Sequence, residues 1–450
     1  MEYFVYSFVM SLLSLNFLEI SYAISSHPSV KDYRYFAAGN FDDLPTDSCR
    51  NREGEVDRKR NGVAKQNSKK KEVLSALEKL FPSKEKESVE IPYKLHLLTN
   101  ASDKGAVCLD GSPPGIYLRN GRGSDRSKWI VFLQGGAWCH DAETCYERSS
   151  TALGSSKCYT RHFTDVQGLL SSQTRNNPDF YKWTVVFVAY CDGSSFTGNR
   201  DKPFKFKDKL LYFRGRRILD AVLEELRRRN IDKATEIILS GSSAGAMSAI
   251  VHADYIRRWL RRETKASFRV LADAGLFIDE PSLNGSETIR SVFRQAYKLH
   301  NSSSGLNEDC IHAQKRKKRW RCFFAQYSLP FVKSRLFVVN SLYDSWQLAY
   351  ASNVPCIFDI ESCTSDEYSY VMNFGKKTKQ ALRSILDSKS KGVLADSCFV
   401  HSQCSQNHPW MNIQVSNTTI AKAFLSWYRG NLENRCRVDG YYPCNPTCCD

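Results

Sequence analysis

The stretch that most constrains this chain is Ile237–Ala246, an apolar, β-branched run that ends in Gly241-Ser242-Ser243-Ala244-Gly245. An amphipathic segment from Met247 to about Glu263 follows it. Strand, sharp turn and helix in this order make a nucleophile elbow. The central serine of Gly-x-Ser-x-Gly is held there in a strained conformation that bulky neighbours would obstruct. Ser243 is the serine in that frame. The helix starting at Ala244 aims free N–H groups and its positive dipole end at the place where an oxyanion would form. A Gly/Ser-rich pentapeptide is also an ordinary turn; the strand before it and the helix after it are what favour chemistry.

The same rhythm recurs along the chain. Trp129–Leu133 enters Gln134-Gly135-Gly136-Ala137-Trp138, Thr184–Tyr190 enters Cys191-Asp192-Gly193, Phe268–Leu271 enters Ala272-Asp273-Ala274-Gly275, and Leu336–Val339 enters Asn340–Asp344. Helical patterns lie between them. Ile218, Leu219, Val222, Leu223 and Leu226 make one apolar face, and Glu367–Lys389 and Thr418–Arg429 are similar. Apolar runs alternating with helices predict an α/β fold, a mostly parallel sheet flanked by helices, with any active site at the carboxyl edge of the strands. No internal repeat or Gly/Ser linker divides the region, so one domain is expected over 88–450, its first strand near Ile91–Leu95.

Compartment is argued from the N-terminus and the cysteines. Phe4–Phe17 is apolar and Ser21-Tyr22-Ala23 carries small residues at −3 and −1, which predicts a signal peptide over 1–23 and a secreted, extracellular protein. Glu2, with no Lys or Arg before the apolar run, is atypical of such a leader. No stretch is long and apolar enough for a transmembrane segment. Residues 24–87 predict a basic flexible arm with one short amphipathic helix, Lys69–Phe81, stopped by Pro82. Sixteen cysteines in an oxidising compartment imply disulfide-rich loops. The close pairs Cys139–Cys145 and Cys310–Cys322 are candidates, and the absence of Cys-x-x-Cys knuckles with histidines disfavours metal. Sequons at Asn100, Asn284, Asn301 and Asn417 fit glycosylation. The net charge of +16 would suggest nucleic acid in a cell, but for a secreted chain it points to polyanionic glycans. Lys315-Arg316-Lys317-Lys318-Arg319, between Cys310 and Cys322, is the run that a disulfide would display.

A serine nucleophile needs a histidine base and an acid to orient it, in the chain order Ser, acid, His for this elbow. Of the histidines after Ser243, His252 lies two turns down the elbow helix, His300 and His312 precede the last strong strand, and His408 adjoins Pro409. His401 lies in a loop between Cys398 and Cys404, where flanking disulfides would hold a base in place. Asp344 and Asp273 both end strands, and position favours Asp344; Asp192 ends one too, but precedes the serine. The N–H groups of an oxyanion hole are expected from Ala244 and from the Gly135-Gly136-Ala137 turn.

Taken together these residues resemble the pectin acetylesterase/Notum family of secreted serine carboxylesterases. The shared motifs are Gly105–Pro114 (GAVCLDGSPP), Gly135–Cys139 (GGAWC), Tyr190–Gly198 (YCDGSSFTG), Gly241–Gly245, Ala272–Gly275, Tyr343–Gln347 (YDSWQ), Asp396–Cys398 with His401, and Tyr442–Cys448 (YPCNPTC). The resemblance spans roughly Leu95–Cys449. It implies an α/β-hydrolase fold, a triad of Ser243, Asp344 and His401, oxyanion donors at Gly136, Ala137 and Ala244, a Cys108–Cys191 bridge, and no metal or cofactor. Trp138, Phe277, Phe323 and Phe324 are the candidate pocket residues.

Two branches of the family differ in the acyl group removed, acetyl from a pectin-like polysaccharide or palmitoleate from a lipid-modified protein, Wnt. Tyr190–Gly198, Tyr343–Gln347 and Asn417–Ala421 look like the first. Tyr93–Asn100 and the Lys69–Phe81 helix look like the second. Ala137-Trp138 stands where the second branch has Trp-Tyr, and Ala246 replaces the glycine that normally ends the elbow motif. A catalytically dead, glycan-binding scaffold is the alternative of another class.

Overall fold

A computed structural model of the chain describes residues 90–448. The expected signal peptide, the basic arm and the helix over Lys69–Phe81 lie outside the described residues. In chain order the strands of the central sheet are β1 Tyr93–Leu97, β2 Gly115–Arg119, β3 Lys128–Leu133, β4 His162–Phe163, β5 Thr184–Val188, β6 Glu236–Ser242, β7 Ser267–Asp273, β8 Leu336–Val339, β9 Gly392–Ala395 and β10 Cys436–Val438. Across the sheet their order is β10-β9-β8-β7-β6-β3-β5-β2-β1-β4. From β10 to β5 all neighbours are parallel. β2, β1 and β4 continue the sheet antiparallel.

Burial on both faces explains the unbroken apolar runs of the parallel strands. In β3, Trp129, Val131 and Leu133 enter one core while Ile130 and Phe132 enter the other. The first core is covered by α1 Gly215–Arg228, α2 Ala244–Glu263, α3 Thr288–Leu299 and α4 Ser365–Ala381. The second is covered by α5 Ile420–Tyr428, whose Phe424 and Trp427 rings pack 5.7 and 5.4 Å from Phe337 of β8. β3 has β5 on one side and β6 on the other, so the chain order switches direction there. Crevices at the carboxyl ends of such strands are where α/β sheets bind ligands.

Two helices differ from the sequence expectation. The segment expected to be helical over Glu367–Lys389 ends as α4 at Ala381, and a short separate turn, Arg383–Leu386, follows. The chain bends at Leu382 so that Leu382 and Ile385 both enter the first core. At the other end α4 is fixed by a capping box between Thr364 and Glu367. The segment expected from Thr418 begins as a two-residue strand, Thr418–Thr419, paired with Gln414–Val415, and Thr419 then caps α5 through the Lys422 N–H.

The disulfides among the described residues include Cys108–Cys191, Cys139–Cys145, Cys310–Cys322, Cys356–Cys363 and Cys398–Cys448. Cys404, Cys436 and Cys444 are thiols. The loop carrying His401 is therefore not bracketed by two disulfides: Cys398 is bridged, but Cys404 is a buried thiol. Hydrogen bonds hold that end instead. The Cys404 carbonyl accepts from Leu169 N–H at 2.8 Å, and its own N–H is bound by a carboxylate described below.

Candidate active site

β6 delivers Ser243 at φ 56°, ψ −125°, a conformation that L-residues adopt only under constraint. The constraint is the close approach of the next turn. A Cβ on Gly245 would lie 2.0 Å from the Leu133 carbonyl oxygen, and one on Gly241 would lie 2.4 Å from the Gly245 carbonyl oxygen. A larger residue at Gly245 would push the elbow off β3, and one at Gly241 would push the strand off the start of α2. The unusual Ala246 is accommodated because its methyl faces Gly275, where an added Cβ would meet it at 2.7 Å.

The turn after β3 lies against this elbow, since a Cβ on Gly135 would fall 3.1 Å from Ser243 Cβ. Gly136 and Ala137 follow at φ 126° and 50°. The N–H groups of Gly136, Ala137 and Ala244 donate to no acceptor among the described residues. Donors left open beside a strained serine are what a developing oxyanion needs.

The candidate acid and base come from the strands on the other side of β6. β8 ends in the loop that presents Asp344. Its Oδ1 accepts from Gln347 N–H at 2.9 Å, and its Oδ2 accepts from His401 Nδ1–H at 2.7 Å. That bond places the ring proton on Nδ1 and leaves the lone pair on Nε2. His401 Nε2 is buried and has no partner among the described residues. Held by a carboxylate through Nδ1 and open at Nε2, the ring is arranged as a general base requires.

Asp273, the other strand-end aspartate, does not bond the imidazole. Its backbone oxygen accepts from Ser243 N–H at 2.9 Å and its Oδ2 from Ser242 Oγ–H at 3.1 Å. Its carboxylate also accepts from Gln403 N–H at 2.9 Å and Cys404 N–H at 2.8 Å. Asp273 thus joins the elbow to the histidine loop. Burial pushes its carboxyl up to about 6, against the lowering effect of those donors. Asp396, at the start of the same loop, is likewise raised to about 6 by burial and accepts from Cys398 N–H.

An aromatic wall stands beside these groups. The Trp138 ring packs edge-on against Phe277 at 4.9 Å, Phe293 at 4.8 Å and Trp346 at 5.9 Å. Phe277 and Trp346 in turn lie 6.3 and 6.0 Å from the His401 ring. Phe323 and Phe324 are one layer back, packed on Phe293. Sequence reasoning missed Trp346 and Phe293. Trp346 stands two residues after Asp344 and could have been read from that spacing; Phe293, on α3, has no local signal.

The remaining histidines have other partners or none near the site. His252 Nε2–H donates to the Ser195 carbonyl and His300 Nε2–H to the Cys139 carbonyl; burial pushes both down to about 3, which keeps them neutral. His312 and His408 are exposed. Cys139 and Cys145 cluster with His300, but their sulfurs are joined in a disulfide. Lys315–Lys318 are exposed on a 3-10 turn carried by Cys310–Cys322. All four sequon asparagines, Asn100, Asn284, Asn301 and Asn417, are exposed. Among the described residues no helix is long and apolar enough to cross a membrane.

Comparison with known proteins agrees with this fold. The pectinacetylesterase family model matches residues 86–449. Pectin acetylesterase 7 of Arabidopsis thaliana is 38% identical over 368 residues, 78% of this chain and 91% of that protein. Palmitoleoyl-protein carboxylesterase notum2 of Xenopus laevis is 32% identical over 395 residues, 82% of this chain and 76% of that protein. The crystal structure of the Wnt deacylase Notum from Drosophila superposes with a TM-score of 0.70 at 27% identity, covering 79% of this chain and 99% of that one. With its mostly parallel sheet, strand-end elbow and match over nearly the whole described region, the chain belongs to the pectinacetylesterase family and is a carboxylic ester hydrolase.

Proposed function

We propose that the protein is a secreted serine esterase that removes acetyl groups from a pectin-like polysaccharide through Ser243, His401 and Asp344. The observation that carries the triad is the 2.7 Å bond from His401 Nδ1–H to Asp344, which leaves a buried, unpartnered Nε2 on the ring. His401 Nε2 takes the Ser243 hydroxyl proton as Oγ attacks the ester carbonyl. The oxyanion of the tetrahedral adduct is stabilised by the N–H groups of Gly136, Ala137 and Ala244. Collapse expels the sugar oxygen, which takes the proton from His401, and leaves acetyl-Ser243. Water, deprotonated by His401, attacks the acyl-enzyme, releasing acetate and the free serine. No step asks for a metal or cofactor.

A short acyl group is favoured by the aromatic wall, because the Trp138 ring, which follows the candidate oxyanion donor Ala137 in sequence, is packed among Phe277, Phe293 and Trp346. The second reading is deacylation of a palmitoleoylated protein, supported by the identity to notum2 and the likeness to the Drosophila enzyme. Lys315, Arg316, Lys317, Lys318 and Arg319 make a basic surface suited to a polyanionic glycan, whether substrate or matrix. The decisive experiment is turnover of p-nitrophenyl acetate by wild type and Ser243→Ala. The reading requires loss of turnover in the variant; equal rates would sink it.

A further inference from the structure

The turn from Asp192 to Gly198 lies between the two halves of the candidate site and takes no part in the triad. Ser195 and Phe196 both sit in the left-handed region, at φ 54° and 57°, although neither is glycine. Two consecutive strained residues persist only where their surroundings over-determine them. The Asp192 carboxylate holds this turn by accepting from Ser194 N–H, Ser194 Oγ–H and Phe196 N–H.

The strained conformation aims the N–H and hydroxyl of Ser195 at the pieces that flank Ser243 and its carbonyl at α2. Its N–H donates to Tyr190 Oη at 2.9 Å, and that phenol donates to the Ala137 carbonyl at 2.9 Å. Its Oγ accepts from the Trp138 indole N–H at 2.8 Å and donates to the Ala244 carbonyl at 2.8 Å. Its carbonyl accepts from Ser248 Oγ–H at 3.0 Å and His252 Nε2–H at 3.2 Å, both on α2. One residue therefore spans from the turn after β3 to the helix after the elbow. Both pieces carry the open N–H groups, and the first also carries the indole.

We propose that Ser195 is a positioning residue that latches Trp138 into the acyl side of the site and sets the spacing between the two halves of the oxyanion hole. The hydroxyl is the only polar partner the described residues give the indole N–H. Rotating the ring away would strand a buried donor, so the ring stays packed between Phe277, Phe293 and Trp346 and long acyl chains are shut out. This inference rests on reading Ser243, His401 and Asp344 as the triad.

Ser195→Ala removes the latch and keeps the chain. Trp138→Phe keeps a ring but removes its N–H, and serves if the first variant folds poorly. For each, kcat/KM is measured with p-nitrophenyl acetate and hexanoate, alongside the thermal midpoint. Ser195→Ala is expected to lower kcat for acetate about tenfold with little change in KM, because the oxyanion donors are realised in the transition state. The hexanoate-to-acetate ratio is expected to rise about tenfold in both variants, and no further in the double variant, because both release the same ring. A ratio within about twofold of wild type in both variants overturns the inference, whether or not turnover of both esters falls together. Activity retained in Ser243→Ala would instead remove the triad reading beneath it.

Discussion

The carboxyl ends of two adjacent parallel strands, β7 and β8, each bring an aspartate to the same loop, and the two do different work. Asp344, after β8, reaches the imidazole of His401. Asp273, at the end of β7, reaches the backbone N–H groups of Gln403 and Cys404 and, on its other side, the elbow. The same residue type at neighbouring strand ends thus orients the His401 imidazole in one case and places the loop that carries it in the other. What decides is the partner each carboxylate faces. The Asp344 carboxylate hydrogen-bonds a titratable ring, whereas the Asp273 carboxylate hydrogen-bonds neutral donors and is held up at about 6 by burial, against the lowering effect of those donors and of the nearby His401.

Substitutions test this contrast in order of effect. Ser243→Ala sets the scale, with an expected fall in kcat of about 10,000-fold, because the nucleophile and its base act as one unit. Asp344→Asn, read by the same assay, should fall about 1,000-fold or more, since the amide no longer enforces the Nδ1–H tautomer. Asp273→Asn should lower kcat only about tenfold with KM unchanged, since one of two backbone donors then faces an amide N–H₂ in place of an acceptor. Equal losses at Asp344 and Asp273 would erase the contrast.

The pH dependence sharpens it. An ordinary aspartate titrates near 3.8, but buried Asp273 does so at about 6 in the folded chain. Between those values the folded state holds more protons than the unfolded one. Its contribution to stability is therefore full below 3.8 and is lost as pH rises through 6, by on the order of 3 kcal/mol. Asp273→Asn lacks this titration, so its thermal midpoint, taken relative to wild type, should climb between pH 4 and pH 7. A pH-independent difference would contradict the assigned burial.

The smallest effect serves as a control. Replacing Lys315–Arg319 with serines should leave p-nitrophenyl acetate turnover within about twofold, because solvent-screened surface charges act little on a neutral substrate. The same variant should leave a heparin column at lower salt than wild type, and elution at unchanged salt would remove the proposed glycan surface.

The fold and the reacting groups were legible in the sequence to different depths. Parallel strands announced themselves because burial on both faces demands apolar runs such as Ile237–Leu239 and Leu336–Val339. The elbow was legible because close packing of Gly241 and Gly245 against neighbouring backbone leaves no room for a side chain. Position pointed to Asp344 ahead of Asp273, but nothing local marked Asp273 as the brace, because its partners in the histidine loop are backbone N–H groups that any sequence supplies. Cys404 misled for a related reason: a cysteine near a loop histidine suggests a bridge, whereas the loop end is held by Asp273 and Leu169. Ser195 was hidden within a motif whose strain shows only in its dihedral angles. The acyl wall was half legible, since Trp138 and Phe277 adjoin recognisable turns while Phe293 arrives from a helix far along the chain.

The central claim is that Ser243 becomes acylated with help from His401 and Asp344. Acid quenching of wild type during turnover of p-nitrophenyl acetate, followed by peptide mapping, tests it most directly. The account predicts an acetyl group on Ser243 and none in Ser243→Ala. Acetyl on Ser242 or Ser240, or turnover with no adduct on the elbow peptide, would contradict it.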